Sequence, residues 1–164
     1  MTIRLAINGF GRIGRNVFRA LIENPREELE IVAVNTIPSL ADAAYLLEFD
    51  SVDGRLPTPV STNGNTMEVG SHKVKFLSER NPENLDWSAL NIDVVLECTG
   101  IFTDAEKASV HLAGGAKKVL VSAPSKGADL TVVYGVNHTL ISSEHKIISN
   151  ASCTTNCLAP IAHI

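Results

Sequence analysis

The sequence predicts an α/β fold: a doubly wound, mainly parallel sheet with helices on both faces and a small antiparallel hairpin inserted in it. Three observations carry this. Short apolar runs of strand length alternate with longer segments of helical period. A glycine-rich turn from Gly9 to Gly14 joins the first run to the first helical segment. The two-residue connection Gly70-Ser71 then breaks the alternation with a pair of facing runs, as a hairpin does.

Taken in order, Ile3 to Ile7 is the first strand, followed by a helix to about Asn24, where Asn24-Pro25 punctuates the chain. That helix is sided, with Ile13, Val17 and Leu21 at four-residue steps and Phe18 and Ile22 beside them. Leu29 to Val34, apolar except for Glu30, suits a strand covered on both faces. Ser39 with Asp42 resembles a capping box opening a helix through Leu47. Asp50 to Asn65 is rich in Pro, Gly, Ser, Thr and Asn and reads as loop; Thr66 to Val69 and His72 to Leu77 form the hairpin. Parallel order resumes with Asp93 to Glu97, a helix from about Asp104 to Ala113 closed by Gly114-Gly115, and Lys118 to Val121. Thr131 to Val136 and His145 to Ile148 complete the strands, with no internal repeat.

The 164 residues carry 14 Lys and Arg against 18 Asp and Glu, a formal charge of −4, and 45% are hydrophobic, as in one ordinary globular domain. No run reaches the roughly 18 apolar residues of a membrane span. Arg4, Arg12, Arg15 and Arg19 thread the first apolar segment instead of preceding it, which disfavours a secretory signal. No window is dominated by Lys and Arg, so no nucleic-acid partner and no membrane partner is expected. Cys98, Cys153 and Cys157 are an odd number without a CxxC, so neither a disulfide scaffold nor a metal site is expected, and the thiols fit a reducing, cytoplasmic setting.

Gly9-Phe10-Gly11-Arg12-Ile13-Gly14 is a GxGxxG between strand and helix, the setting in which it marks a Rossmann-type dinucleotide site. The first glycine permits the tight turn, the second admits a pyrophosphate, and the third lets helix and strand pack closely, with free N–H groups at the helix start facing the anion. The acid that usually holds the adenosine ribose is absent: the second strand ends Asn35-Thr36. A carboxylate there would repel a 2′-phosphate, so its replacement implies that NADP is tolerated beside NAD; the other reading is that Asn35 alone suffices for NAD. No Lys or Arg lies between Glu27 and Asp53 to favour NADP strongly.

The second constellation is Ser149 to Cys157. Cys153 falls near the start of a helix, where the dipole and unpaired N–H groups suit an attacking thiolate, and Ser152 and Thr154 supply hydroxyls for a phosphate or carbonyl. A small buried cysteine is the alternative for Cys153. Cys157, one turn on, reads as a core thiol, and Cys98 as buried filler near the cofactor edge.

Asn8 to Arg15 and Ala151 to Pro160, with Glu97 to Phe102, Gly114 to Val119 and Ser122 to Ser125 between them, resemble phosphorylating glyceraldehyde-3-phosphate dehydrogenase over essentially the whole chain, but only the amino-terminal half of that family's length. The resemblance implies that Gly9, Phe10, Arg12 and Ile13 surround the pyrophosphate, that Thr99, Gly100 and Phe102 lie along the adenosine, and that Glu79 and Arg80 match a pair by the adenine pocket. It places Ser122 and Ala123 near the nicotinamide, makes Cys153 the nucleophile, and assigns Ser152 and Thr154 to the inorganic-phosphate site. Thr36 stands where NAD-dependent members have Asp. Erythrose-4-phosphate dehydrogenase is the nearest sister, ranked second on Leu158-Ala159-Pro160 and Ser122-Ala123-Pro124-Ser125.

The implied reaction is the oxidative phosphorylation of a sugar phosphate, glyceraldehyde 3-phosphate, with inorganic phosphate through a cysteine thioester. It needs a histidine partner, and none of His72, His111, His138, His145 and His163 fits: the first four read as solvent-facing or structural, and His163 lies about 15 Å along a continuing helix from Cys153. The expected organisation is therefore a dinucleotide-binding domain over 1–150 and the start of a catalytic domain over 151–164, cut within its first helix, from a parent enzyme that is a homotetramer at full length. The alternative is a standalone nucleotide-binding module with a redox-sensitive thiol.

Overall fold

The computed structural model describes residues 2–164. β1 (Ile3–Asn8) passes through a glycine turn into α1 (Arg12–Glu23), and β2 (Leu29–Asn35) leads to α2 (Leu40–Glu48). Two short strands, β3 (Phe49–Asp50) and β4 (Gly54–Arg55), pair antiparallel. β5 (Val60–Asn63), β6 (Thr66–Val69) and β7 (His72–Leu77) form an antiparallel meander. β8 (Val94–Glu97), α3 (Ala105–Ala108), α4 (Val110–Ala113), β9 (Lys118–Val121), β10 (Leu130–Thr131), β11 (Ile147–Ser149) and α5 (Cys153–His163) follow. The nine-stranded sheet runs β10-β11-β9-β8-β1-β2-β7-β6-β5, parallel except at the β7-β6-β5 edge.

Strand alternation separates two cores. Ile7 and Val34 point to the face covered by Phe18 of α1 and Leu47 of α2; Ala6, Ala33 and Val95 point to the other, against Trp87 and Ile92. Each large side chain so buried contributes roughly 1.5–3 kcal/mol. On the same side as Trp87, Ala108 of α3 packs on Val119, Val121 and Ile147. Ser39 caps α2, its hydroxyl oxygen accepting from Asp42 N–H at 3.1 Å while its O–H donates to the Asp42 carboxylate at 2.6 Å.

Five elements differ from expectation. The segment 50–65 is not one loop: Asp50 Oδ1 accepts from the N–H groups of Val52 and Asp53, which closes the β3-β4 turn, and Gly64 at φ 56° closes β5 onto β6. The same polar, glycine-rich composition serves tight turns as well as loops. The expected helix 104–113 is broken at Ser109, whose hydroxyl donates to the Glu106 carbonyl. Thr131 to Val136 is strand only at Leu130–Thr131; Val132 and Val133 are buried from a turn that Asn137 closes by accepting from Val133 N–H and donating to the Thr131 carbonyl. The last strand starts at Ile147 because Asp129 takes the N–H groups of Lys146 and Ile147. In α1, Phe18 and Leu21 are buried, but Ile13 and Val17 are half exposed on a flank toward Cys153.

Arg19, 3% exposed, ties this arrangement together: its guanidinium donates to the carbonyls of Leu47, Gly54 and Asp53 and meets Glu23 at 3.3 Å. Replacing Arg19 with Met keeps the stem and strands those acceptors. Urea denaturation is expected to show a loss of about 2–3 kcal/mol, and a change below about 0.5 kcal/mol would contradict this account.

Candidate functional site

β1 lies between β2 and β8, parallel to both, so the chain departs in opposite directions on either side of its carboxyl end. Such a switch point opens a crevice. Gly9 turns there at φ 95°, its N–H donating to the Asn35 carbonyl at 2.8 Å; a Cβ on it would stand 2.6 Å from the Thr99 nitrogen. A Cβ on Gly14 would stand 2.2 Å from the Gly9 carbonyl oxygen, so α1 touches the turn directly. A Cβ on Gly11, the N-cap, would meet nothing within 4 Å. No side chain caps α1 and its first turn holds no acid, which leaves its leading N–H groups directed at open space.

Two cavities flank this turn. The first, about 460 Å³, is lined by Gly9, Phe10 and Gly11 with Asn35, Thr36, Arg80, Thr99 and Phe102. The second, about 300 Å³, is lined by Ile13, Val17, Ser122, Ser152 and Cys153. Cys98 borders both. Burial pushes its thiol up to about 11, with a Ser122 hydrogen bond partly offsetting this, which disfavours the thiolate; the residue is half-buried, not the fully buried filler that the sequence suggests.

Five of the candidate residues line neither cavity. Gly14 is buried beneath the turn, Gly100 is an exposed turn residue at φ 73°, and Ala123 stands behind, its carbonyl accepting from Ser149 Oγ at 2.8 Å. Arg12 reaches sideways to Asp50 at 3.1 Å, and Thr154 places its hydroxyl 2.9 Å from Ser152 Oγ. Phe10 contributes backbone, since its ring is buried edge-on against Phe18 at 5.9 Å. Asn35 turns inward, donating to Asn8 Oδ1 and the Glu79 carbonyl and accepting from Glu79 N–H. Thr36, its N–H on the Leu77 carbonyl, is left as the polar side chain at the strand end that faces the first cavity.

Cys153 opens α5, as the sequence predicts, and is exposed. Ser152 caps the helix by accepting from Thr155 N–H at 3.0 Å, and Ala151 before it is buried at φ 56°. Cys157 is exposed, not a core thiol: α5 has no buried residue among those described, and Leu158 and Ile161 beside it are exposed as well. The expectation rested on its place one turn past the helix start, and in this chain that turn of α5 is exposed.

Sequence reasoning missed the polar group under the first cavity. Glu97 is 2% exposed and receives Asn8 Nδ2 at 2.6 Å, Thr99 N–H at 2.8 Å and His111 Nε2 at 2.9 Å; Trp87 Nε1–H donates to His111 Nδ1 at 3.1 Å. The signal was a lone carboxylate ending the apolar strand Val94-Val95-Leu96. Among the described residues no group of three or more His, Cys, Asp or Glu is placed to hold a metal, and no helix is long and apolar enough to cross a membrane.

A parallel sheet with a glycine turn and an uncapped helix start at its switch point defines a dinucleotide-binding α/β domain. Residues 3–105 match the family model described as glyceraldehyde 3-phosphate dehydrogenase, NAD binding domain. The chain is 56% identical over 164 residues to glyceraldehyde-3-phosphate dehydrogenase of Xanthobacter flavus, covering all of this chain and 49% of that one. It is 53% identical to the enzyme of that name from Pseudomonas aeruginosa and 52% to that of Geobacillus stearothermophilus, with the same coverage. The chain belongs to the glyceraldehyde 3-phosphate dehydrogenase NAD-binding family, one of oxidoreductases with a nicotinamide dinucleotide cofactor, and spans about half the length of the curated relatives it matches.

The three glycines are expected to separate by phenotype. Gly9→Ala and Gly14→Ala each lower stability by about 1–3 kcal/mol in denaturant titrations, whereas Gly11→Ala leaves stability within about 0.5 kcal/mol and weakens NAD binding in calorimetry. Equal stability for all three would refute the assignment. Asp50 gives a pH signature: the N–H groups of Val52 and Asp53, then Arg12, hold its carboxyl down at about 2. Because the folded value lies below the ordinary one, its contribution is full above about pH 4 and is lost as pH falls toward 2. The stability difference between the protein and Asp50→Asn, followed by urea melts, should therefore be flat above pH 4 and shrink below it.

Proposed function

We propose that the chain is the cofactor-binding half of a phosphorylating glyceraldehyde-3-phosphate dehydrogenase, with residues 1–150 as the dinucleotide-binding domain and 151–164 opening the catalytic domain. One observation carries the reading: an exposed thiol, Cys153, sits on a cavity that shares the Cys98 wall with the cavity of the GxGxxG turn. An extended dinucleotide lying across Gly11 would reach from one cavity to the other.

The residues fit such a group. The leading N–H groups of α1, with Gly9, Gly11 and Ile13, would hold the pyrophosphate; Thr36, Arg80, Thr99 and Phe102 would line the adenosine half, and Ser122 the nicotinamide half, with Ala123 behind it. When bound, the nicotinamide ring supplies the hydride acceptor. The Cys153 sulfur, as thiolate, bonds to the aldehyde carbon of the sugar phosphate, and loss of hydride from that carbon leaves a thioester on Cys153. An oxygen of inorganic phosphate then attacks the thioester carbon, the C–S bond breaks, and the acyl phosphate leaves with the thiolate restored. Ser152 and Thr154, whose hydroxyls already converge beside Cys153, would hold that phosphate. We assign the base, the remaining substrate contacts and a homotetrameric, cytoplasmic assembly to the full-length parent.

The purified 164-residue chain is expected to bind NAD and to show negligible turnover. In the full-length parent, Cys153→Ser should lower kcat by at least about 10⁴-fold while NAD affinity stays within about twofold. Thr36 supports tolerance of both cofactors: competition binding should give NAD a preference over NADP of less than about a hundredfold, and a larger one would defeat that part of the reading.

A further inference from the structure

The buried polar row beneath the first cavity belongs to neither core nor chemistry. Asn35, Asn8 and Glu97 are register neighbours across β2, β1 and β8, all on the sheet face that Trp87 covers, at the carboxyl ends where the cavity opens. Asn8 Oδ1 accepts from Asn35 Nδ2 at 2.8 Å, and Asn8 Nδ2 donates to Glu97 Oε2 at 2.6 Å.

The donor inventory fixes the direction of every bond. An indole N–H only donates, so His111 Nδ1 accepts from Trp87 and the ring proton sits on Nε2, donating to Glu97 Oε2. The other Glu97 oxygen receives both the N–H and the hydroxyl of Thr99. Four donors and no acceptor surround this side chain, which is the environment of a carboxylate. The anion holds Asn8 with its amide nitrogen inward, so Asn8 offers its oxygen to Asn35, and Asn35 in turn clasps Glu79 by both backbone groups at 2.8 and 2.9 Å. One buried charge thereby orients both walls of the cavity: Thr99 directly, and the Glu79-Arg80 segment through two asparagines.

We infer that Glu97 is a positioning residue that sets the two walls of the dinucleotide cavity, and that Trp87 lies at the far end of the same hydrogen-bonded chain. The inference rests on the dinucleotide reading above. Glu97→Gln preserves shape but turns an amide N–H₂ against two of the four donors, so it disorders one wall whichever way it faces.

The test uses the 164-residue chain, with NAD and AMP as probes. Calorimetry on the folded fraction, checked by a cooperative melt, is expected to show Glu97→Gln weakening both probes about tenfold or more. In the unmodified chain, the single indole N–H resonance of Trp87 should move by more than its linewidth when either probe is added. This second measurement stands even if the glutamine variant fails to fold. Affinity unchanged within about twofold, or an unmoved indole resonance at saturation, overturns the inference and leaves the dinucleotide reading intact. Absence of NAD binding by the unmodified chain overturns both.

Discussion

The molecule depends on a contact that involves no side chain. At the end of β1 the backbone of Gly9 lies against that of Thr99 and Cys98, and α1 presses Gly14 onto the Gly9 carbonyl from the other side. The turn, the helix it opens and a strand end some ninety residues further along the chain meet at van der Waals distance, and a single added carbon at either glycine would separate them. This closeness brings the uncapped start of α1 to the crevice between β2 and β8. The cavity is a by-product of how tightly the strand ends are drawn together.

Around that contact, polar groups are arranged by cost. Glu97 is buried with a full set of donors, which keeps an otherwise prohibitive burial affordable. Asp50, by contrast, accepts two backbone N–H groups and Arg12 at the mouth of the flap formed by β3 and β4. The first charge organises the floor of the site and the second its outer edge, while the α1 start between them carries no acid. A site for a diphosphate requires that the nearby negative charge be already neutralised or fully engaged, and both carboxylates are.

Much of this was legible in the residues. The strand-turn-helix setting of GxGxxG, the Ser39 cap, the Gly70-Ser71 hairpin and the helix start at Cys153 each rest on local rules: φ freedom, capping geometry and two-residue turns. Where reading failed, the decisive partner was remote or the same composition served two ends. Val132 and Val133 are buried as an apolar run should be, yet a turn closed by Asn137 buries them, and periodicity reports burial, not backbone. Cys157 was judged by its spacing from Cys153, but what decides its exposure is which surface α5 meets. The Asn8, Glu97, His111 and Trp87 group spans 103 residues between Asn8 and His111, beyond any local pattern.

Ala151 stands one step before the helix cap in the left-handed region, at φ 56° and with its methyl buried. Torsion, and not chemistry, governs which amino acids that place accepts: Gly and Asn enter the conformation at ease, while Val, Ile and Thr are shut out by their branched β-carbons. The aim of the sulfur two residues on is thus inherited from a backbone twist, so that swapping a neutral, unreactive methyl can redirect the thiol without altering any group that a substrate would touch.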